Sequence, residues 1–203
     1  MFTYLRPALV LLAAFTLLTG LAYPLAVTGI GQMLFPNQAN GSLIQRDGTV
    51  VGSRLIGQSF SSKQYFQGRP SATSDTDPND ATKTIAAPYN AANSSGSNGG
   101  PTSKALLDRI QADYSARHQE NAQVPVPVDL VTASASGLDP HISPAAADFQ
   151  VPRIAKIRRL PEDQVRKLVA AHTEGRWLGV FGEPAVNVLE LNLALDTAAP
   201  IKP

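Results

Sequence analysis

The stretch Pro7-Ala-Leu-Val-Leu-Leu-Ala-Ala-Phe15-Thr-Leu-Leu-Thr-Gly20-Leu-Ala-Tyr-Pro24-Leu-Ala-Val-Thr-Gly-Ile30-Gly-Gln-Met-Leu-Phe35 carries no charged side chain, and its reading decides what kind of protein this is. A helix needs roughly 20 apolar residues to cross about 30 Å of hydrocarbon, so this run is long enough for one crossing and too short for two. The reading is a transmembrane helix over residues 7–35. Arg6 and the amino terminus flank it on one side, and the next charge beyond it is Arg46. The positive-inside bias then puts residues 1–6 in the cytoplasm and residues 36–203 on the far side as one extracytoplasmic domain. Tyr4, Tyr23 and Phe35 fall where interfacial rings sit, and Pro24 predicts a kink. A secretory signal cut after Ala22 is the competing reading, since Gly20 and Ala22 are small. Apolar character nevertheless continues through Val27, Ile30, Met33, Leu34 and Phe35, past the ~7 to 15 residues of a signal's apolar region.

Outward from the anchor the chain changes character. Apart from Arg6, the charges lie from Arg46 onward, 16 of each sign, so the domain is formally neutral and has no field to recruit nucleic acid. The absence of cysteine excludes disulfides, thiolate chemistry and Cys-ligated zinc. About 160 residues make one domain.

Asp47-Gly48 between Ser42–Ile44 and Thr49–Val51 predicts a tight hairpin. Residues 52–72, with Gly57, Gly68 and Pro70 among short apolar pieces, predict irregular strands and turns. Residues 73–100 are rich in Ser, Asn, Asp, Gly and Pro and read as a long flexible loop. A cap at Thr102 or Ser103, with Leu106, Leu107, Ile110 and Tyr114 at helical spacing, predicts a helix. Ser143-Pro144 opens another, through Ile157 with a kink at Pro152, and Pro161 a third ending near Gly175. Residues 186–195 read as a half-buried strand. The fold class expected is α+β or α/β, with a small sheet and about three helices.

Chemistry is sparse. A phosphate cradle of the Gly-Lys-Ser/Thr type is missing, and so is an Asp-Lys-Thr-Gly phosphorylation sequence. Ser95-Gly96-Ser97-Asn98-Gly99-Gly100 before a helix start could hold an anion, although a flexible linker explains it better. Asp75-Thr76-Asp77 with Asp80 opens like a calcium loop, but Pro78, Asp80 and Ala86 stand at the wrong places. His118, His141 and His172 have no zinc spacing, so no metal site is expected. Asp139, His141 and Ser143 crowd within five residues, too close for the usual triad. Arg153, Lys156, Arg158 and Arg159 read as a solvated helix face.

Several segments, as they stand, resemble one family: Gly52-Ser-Arg-Leu-Ile-Gly-Gln58, Tyr65-Phe-Gln-Gly-Arg-Pro-Ser-Ala72, Tyr89-Asn90 and Ser95-Gly-Ser-Asn98. Val131-Thr-Ala-Ser-Ala-Ser-Gly-Leu-Asp139, Ile142-Ser-Pro-Ala-Ala-Ala147, Gln150-Val-Pro-Arg-Ile-Ala-Lys156 and Gly182-Glu-Pro-Ala-Val-Asn-Val-Leu-Glu-Leu-Asn192 extend it. In number and order these resemble the C subunit of the Kdp potassium-transporting ATPase of bacteria. The stretch 73–87 is longer than the family pattern, and Ser95-Gly96-Ser97 lacks a second glycine before the serine.

The resemblance implies a non-catalytic accessory subunit of a potassium-uptake complex in the inner membrane, its domain periplasmic. The partners it implies are a channel-like potassium-binding subunit, a P-type ATPase subunit and a small stabilising peptide, with ATP and potassium handled by the complex. The family is described as a catalytic chaperone that raises ATP affinity, and ATP binding is often ascribed to it. An ATP contact by Ser95, Gly96, Ser97 and Gln150 is the alternative, and an anchored periplasmic hydrolase using Asp139, His141 and Ser143 a weaker one. By motif position, Gln58, Arg69, Asn90, Asp139, Gln150 and Asn187 are expected to be structural or interface groups, with Arg69 the charged anchor.

Overall fold

In the computed structural model, which describes residues 2–200, the chain divides after Ser53 into two units. The first is dominated by a 30-residue apolar helical run, Leu5–Leu34. It comprises helix α1 (Leu5–Leu17), a π-helical turn (Leu18–Ala22) and helix α2 (Tyr23–Leu34). The wide turn has a local cause. Pro24 has no N–H and its ring crowds the carbonyl four residues back, and Tyr23 N–H donates to Leu18 O, five residues away. Where the sequence predicts a kink, the structure has this looser turn. After a short helix α3 (Pro36–Ala39), strands β1 (Leu43–Arg46) and β2 (Thr49–Ser53) pair antiparallel. Asp47 and Gly48 have φ of 51° and 76°, the two left-handed residues that a tight hairpin with right-handed twist requires.

The second unit is α+β. Strands β3 (Ser74–Asp77) and β4 (Asp80–Ala86) form a hairpin, followed by helix α4 (Lys104–Glu120). Strand β5 (His141–Ile142) leads into helix α5 (Pro144–Arg158), then helix α6 (Glu162–Ala171), strand β6 (Thr173–Glu174), strand β7 (Ala185–Asn187) and helix α7 (Val188–Ala198). The three last strands make one antiparallel sheet in the order β5-β7-β6. Four α-helices therefore stand among the described residues of this unit, where about three helices are expected.

Three differences from the sequence reading have plain physical reasons. The segment 73–100 contains the β3–β4 hairpin, whose acids serve its own turns: Asp77 Oδ1 accepts from Asn79 N–H at 2.8 Å, and Asp80 Oδ1 from Thr82 N–H at 3.0 Å and Thr82 Oγ1 at 2.6 Å. Residues 186–195 are mostly helix. Val188, Leu191, Asn192 and Leu195 recur at three and four, and Asn187 caps the start by accepting from Glu190 N–H at 3.1 Å. Third, two of the four basic residues of the 153–159 cluster are not solvated: the side chains of Arg153 and Arg158 keep only 11% and 3% of their exposure.

The core is built by α5, α6 and α7 with the small sheet, around Phe66, Leu130, Phe149, Ile154, Val165, Val186, Leu191 and Leu195. Helix α5 is buried on most of its circumference, through Ala146, Ala147, Phe149, Gln150, Val151, Ile154 and Ala155, so that alanines let neighbours approach. Its start is fixed as expected, with Ser143 Oγ accepting from Ala146 N–H at 3.1 Å and Pro144 in the first turn. It ends on Arg159 in the left-handed region (φ 56°), which allows Leu160 N–H to reach back to Ala155 O at 3.0 Å.

Candidate functional site

The segment 63–67 has no strand partner, and its backbone polar groups must still be satisfied. Side chains supply the bonds. Asn192 of α7, wholly buried, accepts from Phe66 N–H at 2.8 Å through Oδ1 and donates to Phe66 O at 2.9 Å through Nδ2. Gln150 of α5, also wholly buried, does the same for the next residue: Gln67 N–H to Oε1 at 2.9 Å, and Nε2 to Gln67 O at 3.0 Å. Each amide thus stands in for a neighbouring strand.

The arginines of α5 complete the clamp. Arg153 donates to Tyr65 O at 3.0 Å, to Lys63 O and to Gln150 Oε1 at 2.6 Å, and pairs with Glu120 of α4. Burial presses the Arg153 guanidinium below its ordinary pKa, while Glu120 opposes the shift. Arg158 donates to Gln64 O at 3.0 Å, pairs with Asp196 at 2.9 Å and lies 4.8 Å from the centre of the Tyr65 ring. Tyr65 Oη donates to the same carboxylate at 3.1 Å.

A second cluster gathers the small-residue segments. Ser71 Oγ donates to Gly137 O at 2.7 Å and accepts from Tyr89 N–H at 2.9 Å. Thr73 Oγ1 donates to Ala87 O at 2.6 Å and accepts from Asn90 N–H at 3.1 Å. Asn90 Nδ2 donates to Ser74 O at 3.0 Å. Tyr89, itself at φ 61°, sends its hydroxyl to Arg69 O at 2.8 Å, and its ring fills the space left by two glycines. A methyl at Gly57 would strike that ring and stand 2.8 Å from Asp139 O; one at Gly68 would stand 2.5 Å from the Tyr89 hydroxyl. Burial, with the Asp139 charge adding to it, pushes the Tyr89 phenol up to about 12.

Arg69 and Asp139 meet at 3.2 Å, each about a quarter exposed, and Arg69 also donates to Thr132 O at 3.3 Å. Asp139 accepts from His141 N–H at 3.0 Å, and His141 Nδ1 lies 3.5 Å away. Burial raises the Asp139 pKa, but the His141 bonds and the Arg69 charge outweigh it and hold the carboxyl below its ordinary value. The pair lines a cleft of about 350 Å³ with Asp129, Thr132, His141, Ser143 and Glu183.

The expected site residues therefore part company. Arg69, Asn90 and Asp139 join the second cluster, and Gln58 is half-buried next to Gly57. Gln150 belongs to the clamp, its amide filled by Gln67, Arg153 and Ala146 O. Asn187 caps α7 and donates to Arg54 O at 2.9 Å. In the expected nucleotide loop, Ser95 is half-buried and donates to Ala72 O, and Gly96 is pressed on Ala135, where a methyl would lie 2.8 Å from Ala135 O, while Ser97 to Gly100 are exposed. The hydrolase candidates do not form a relay: Ser143 Oγ donates to Asp129 at 3.2 Å while capping α5, and Asp139 holds His141. Asn192, Arg153, Arg158 and Asp196 were missed. A lone asparagine in the leucine run 189–195 was the available signal.

The fold and these clusters define a class: a small domain on a chain with, among the described residues, one apolar helix long enough to cross a membrane, its buried polar side chains committed to holding its own loops. The class narrows by comparison. The chain belongs to the KdpC family, described as K+-transporting ATPase, c chain, which matches residues 5–197. It is 66% identical to the potassium-transporting ATPase KdpC subunit of Bradyrhizobium diazoefficiens over 96% of this chain and 97% of that one. The protein of the same name from Methylobacterium nodulans is 66% identical over 98% of this chain and 99% of its own length, and that from Rhodopseudomonas palustris 66% over 95% and 96%.

Proposed function

We propose that this chain acts as an accessory, non-catalytic subunit of a potassium-transporting ATPase, anchored by its apolar helix and docked on the outer face of a channel-like partner. The observation that carries the reading is the match of nearly the whole chain to subunits of that name at 66% identity. The helix Leu5–Leu34, with Arg6 at its start, supports an N-terminus in the cytoplasm and a periplasmic domain in the inner membrane of a bacterium. The P-type ATPase chain performs the hydrolysis, and a small stabilising peptide completes the set.

Under this topology the domain and cytoplasmic ATP are separated by a bilayer of about 30 Å. Any rise in ATP affinity is then a coupling free energy transmitted through the complex, reciprocal with what ATP does to the docking of this chain. The buried state of Gln150 supports that indirect route over direct nucleotide contact. Co-purification with the other chains, and potassium-stimulated ATPase activity with and without this one, test the reading. Assembly and potassium affinity should both fall when it is removed; an unchanged complex overturns the assignment. A cysteine in place of Ser97 should react with an impermeant reagent from outside intact cells.

A further inference from the structure

Midway along the apolar run Leu5–Leu34, the wide turn leaves one backbone carbonyl without a helical donor. A carbonyl in an α turn takes the N–H four residues on, and in a π turn the N–H five residues on. For Thr19 O these would come from Tyr23 and residue 24. Tyr23 N–H goes to Leu18 O, and Pro24 has no N–H to give. A serine or threonine four places on could bond back to such a carbonyl, but that place holds Tyr23. The hydroxyl of the turn itself, Thr19 Oγ1, donates the other way, to Phe15 O at 2.7 Å. Among the described residues, no side chain replaces the lost bond.

The carbonyl is also open to approach. Thr19 and Gly20 are exposed, and a methyl built on Gly20 would meet nothing within 4 Å. A glycine beside the turn lets a second helix come close to the backbone.

The medium decides the occupant. Hydrocarbon holds no water to take a leftover carbonyl, so leaving one unpaired there is costly. Acyl chains carry no hydrogen-bond donor. Thr19 O therefore selects a protein group over lipid, and neighbouring helices are what satisfy proline-broken helices in membranes.

We propose that the Leu18–Ala22 turn is where a membrane-spanning segment of another chain of the same transporter crosses this helix, packing on Gly20 and donating from a hydroxyl or amide side chain to Thr19 O. This rests on the accessory-subunit reading above and locates its contact within the bilayer.

The test uses the whole complex in mild detergent, purified through a tag on another chain. Gly20→Leu covers the open side of the turn, and Pro24→Ala returns the missing N–H to the helix itself. Each should cut retention of this chain by about three- to tenfold, the range of one interhelical hydrogen bond. The isolated Gly20→Leu chain should unfold thermally as the unsubstituted chain does, since its new side chain meets open space. An α-hydroxy acid in place of Gly20 turns the Thr19 carbonyl into an ester, a weaker acceptor, and should lower retention too; the same exchange at Leu12, inside α1, should not. A photoreactive benzoylphenylalanine in place of Tyr23, one turn on from Thr19, should crosslink to another transporter chain. Retention of either substituted chain equal to the unsubstituted one, equal loss from the two esters, or crosslinking only to lipid or to a second copy overturns the proposal. The two readings fail separately: if the complex assembles without this chain, the accessory role is wrong; if it needs the chain but tolerates Gly20→Leu and Pro24→Ala, only the crossing point is.

Discussion

Gln150 on α5 and Asn192 on α7 hold consecutive residues of one backbone, each amide taking both the N–H and the C=O of its target, Gln67 and Phe66 respectively. Two helices and an extended segment are joined at their centre by side chains rather than by a ladder of strands. The Gln150 amide, which also accepts from Arg153 and donates to Ala146 O, has no donor or acceptor to spare for a ligand.

Removal of either amide should be severe. Asn192→Leu strands a buried donor and acceptor of Phe66, each worth roughly 1 to 3 kcal/mol, so a loss of about 2 to 6 kcal/mol is expected. Gln150→Leu also frees Arg153 from one partner and should cost about as much. The double variant should lose less than the sum, since both hold one segment. Denaturant titration of the full-length chain in detergent gives all three values.

The glycines around Tyr89 should be intolerant. Gly57→Ala drives a methyl into the Tyr89 ring and against Asp139 O, and overpacking of this kind costs about 1 to 3 kcal/mol. On a Tyr89→Leu background the added penalty should shrink, which a thermal unfolding cycle of the four proteins would show. An equal penalty on both backgrounds would mean that the carbonyl of Asp139, not the ring, sets the limit.

Alkaline pH should weaken the fold through Tyr89. The folded phenol titrates at about 12 against an ordinary 10.0, so the unfolded state releases this proton first. The stability it contributes is complete below pH 10 and is lost as the pH rises toward 12, by roughly 2 to 3 kcal/mol at about 1.4 kcal/mol per unit. Tyr89→Phe should remove that part of the slope while costing about 1 kcal/mol at neutral pH for the lost bond to Arg69 O. Stability curves of both proteins from pH 8 to 12 make the comparison.

Acid acts through Asp139 in the opposite sense. Its folded pKa is lowered from 3.8, so its contribution is present above that value and disappears as the pH falls through the depressed one. Asp139→Asn should flatten this acid limb and cost on the order of 1 kcal/mol at pH 7, the pair being partly open to water. Arg69→Ala should lower complex yield more than it lowers the melting temperature of the isolated chain.

Local chemistry made much of this legible. Asp47-Gly48, Ser103 and Ser143-Pro144 signal their turn and helix starts through neighbouring atoms, and all three stand as read. Long-range pairing was hidden. Arg153 and Arg158 look solvated because charge alternates with Ile154 and Ile157, yet both reach carbonyls about 90 residues away in sequence. Residues 186–195 read as a strand because valines and leucines are interleaved with Asn187, Glu190, Asn192 and Ala194, while Val188, Leu191 and Leu195 carry the helical period. The second cluster could be named only by likeness: serine, glycine and asparagine are common residues, and nothing local says that Ser71, Tyr89 and Gly137 meet.

The π-helical turn at Leu18–Ala22 rotates everything after it. One extra residue in a helix shifts the following side chains by about 100° around the axis. In a regular helix the stripe of Leu9, Leu12 and Thr16 would continue through Tyr23, Val27, Ile30 and Leu34, and the wide turn moves those residues out of line with it. A single apolar run of 30 residues therefore presents two offset edges, one along Leu5–Leu17 and one along Tyr23–Leu34, and a straight neighbour cannot follow both.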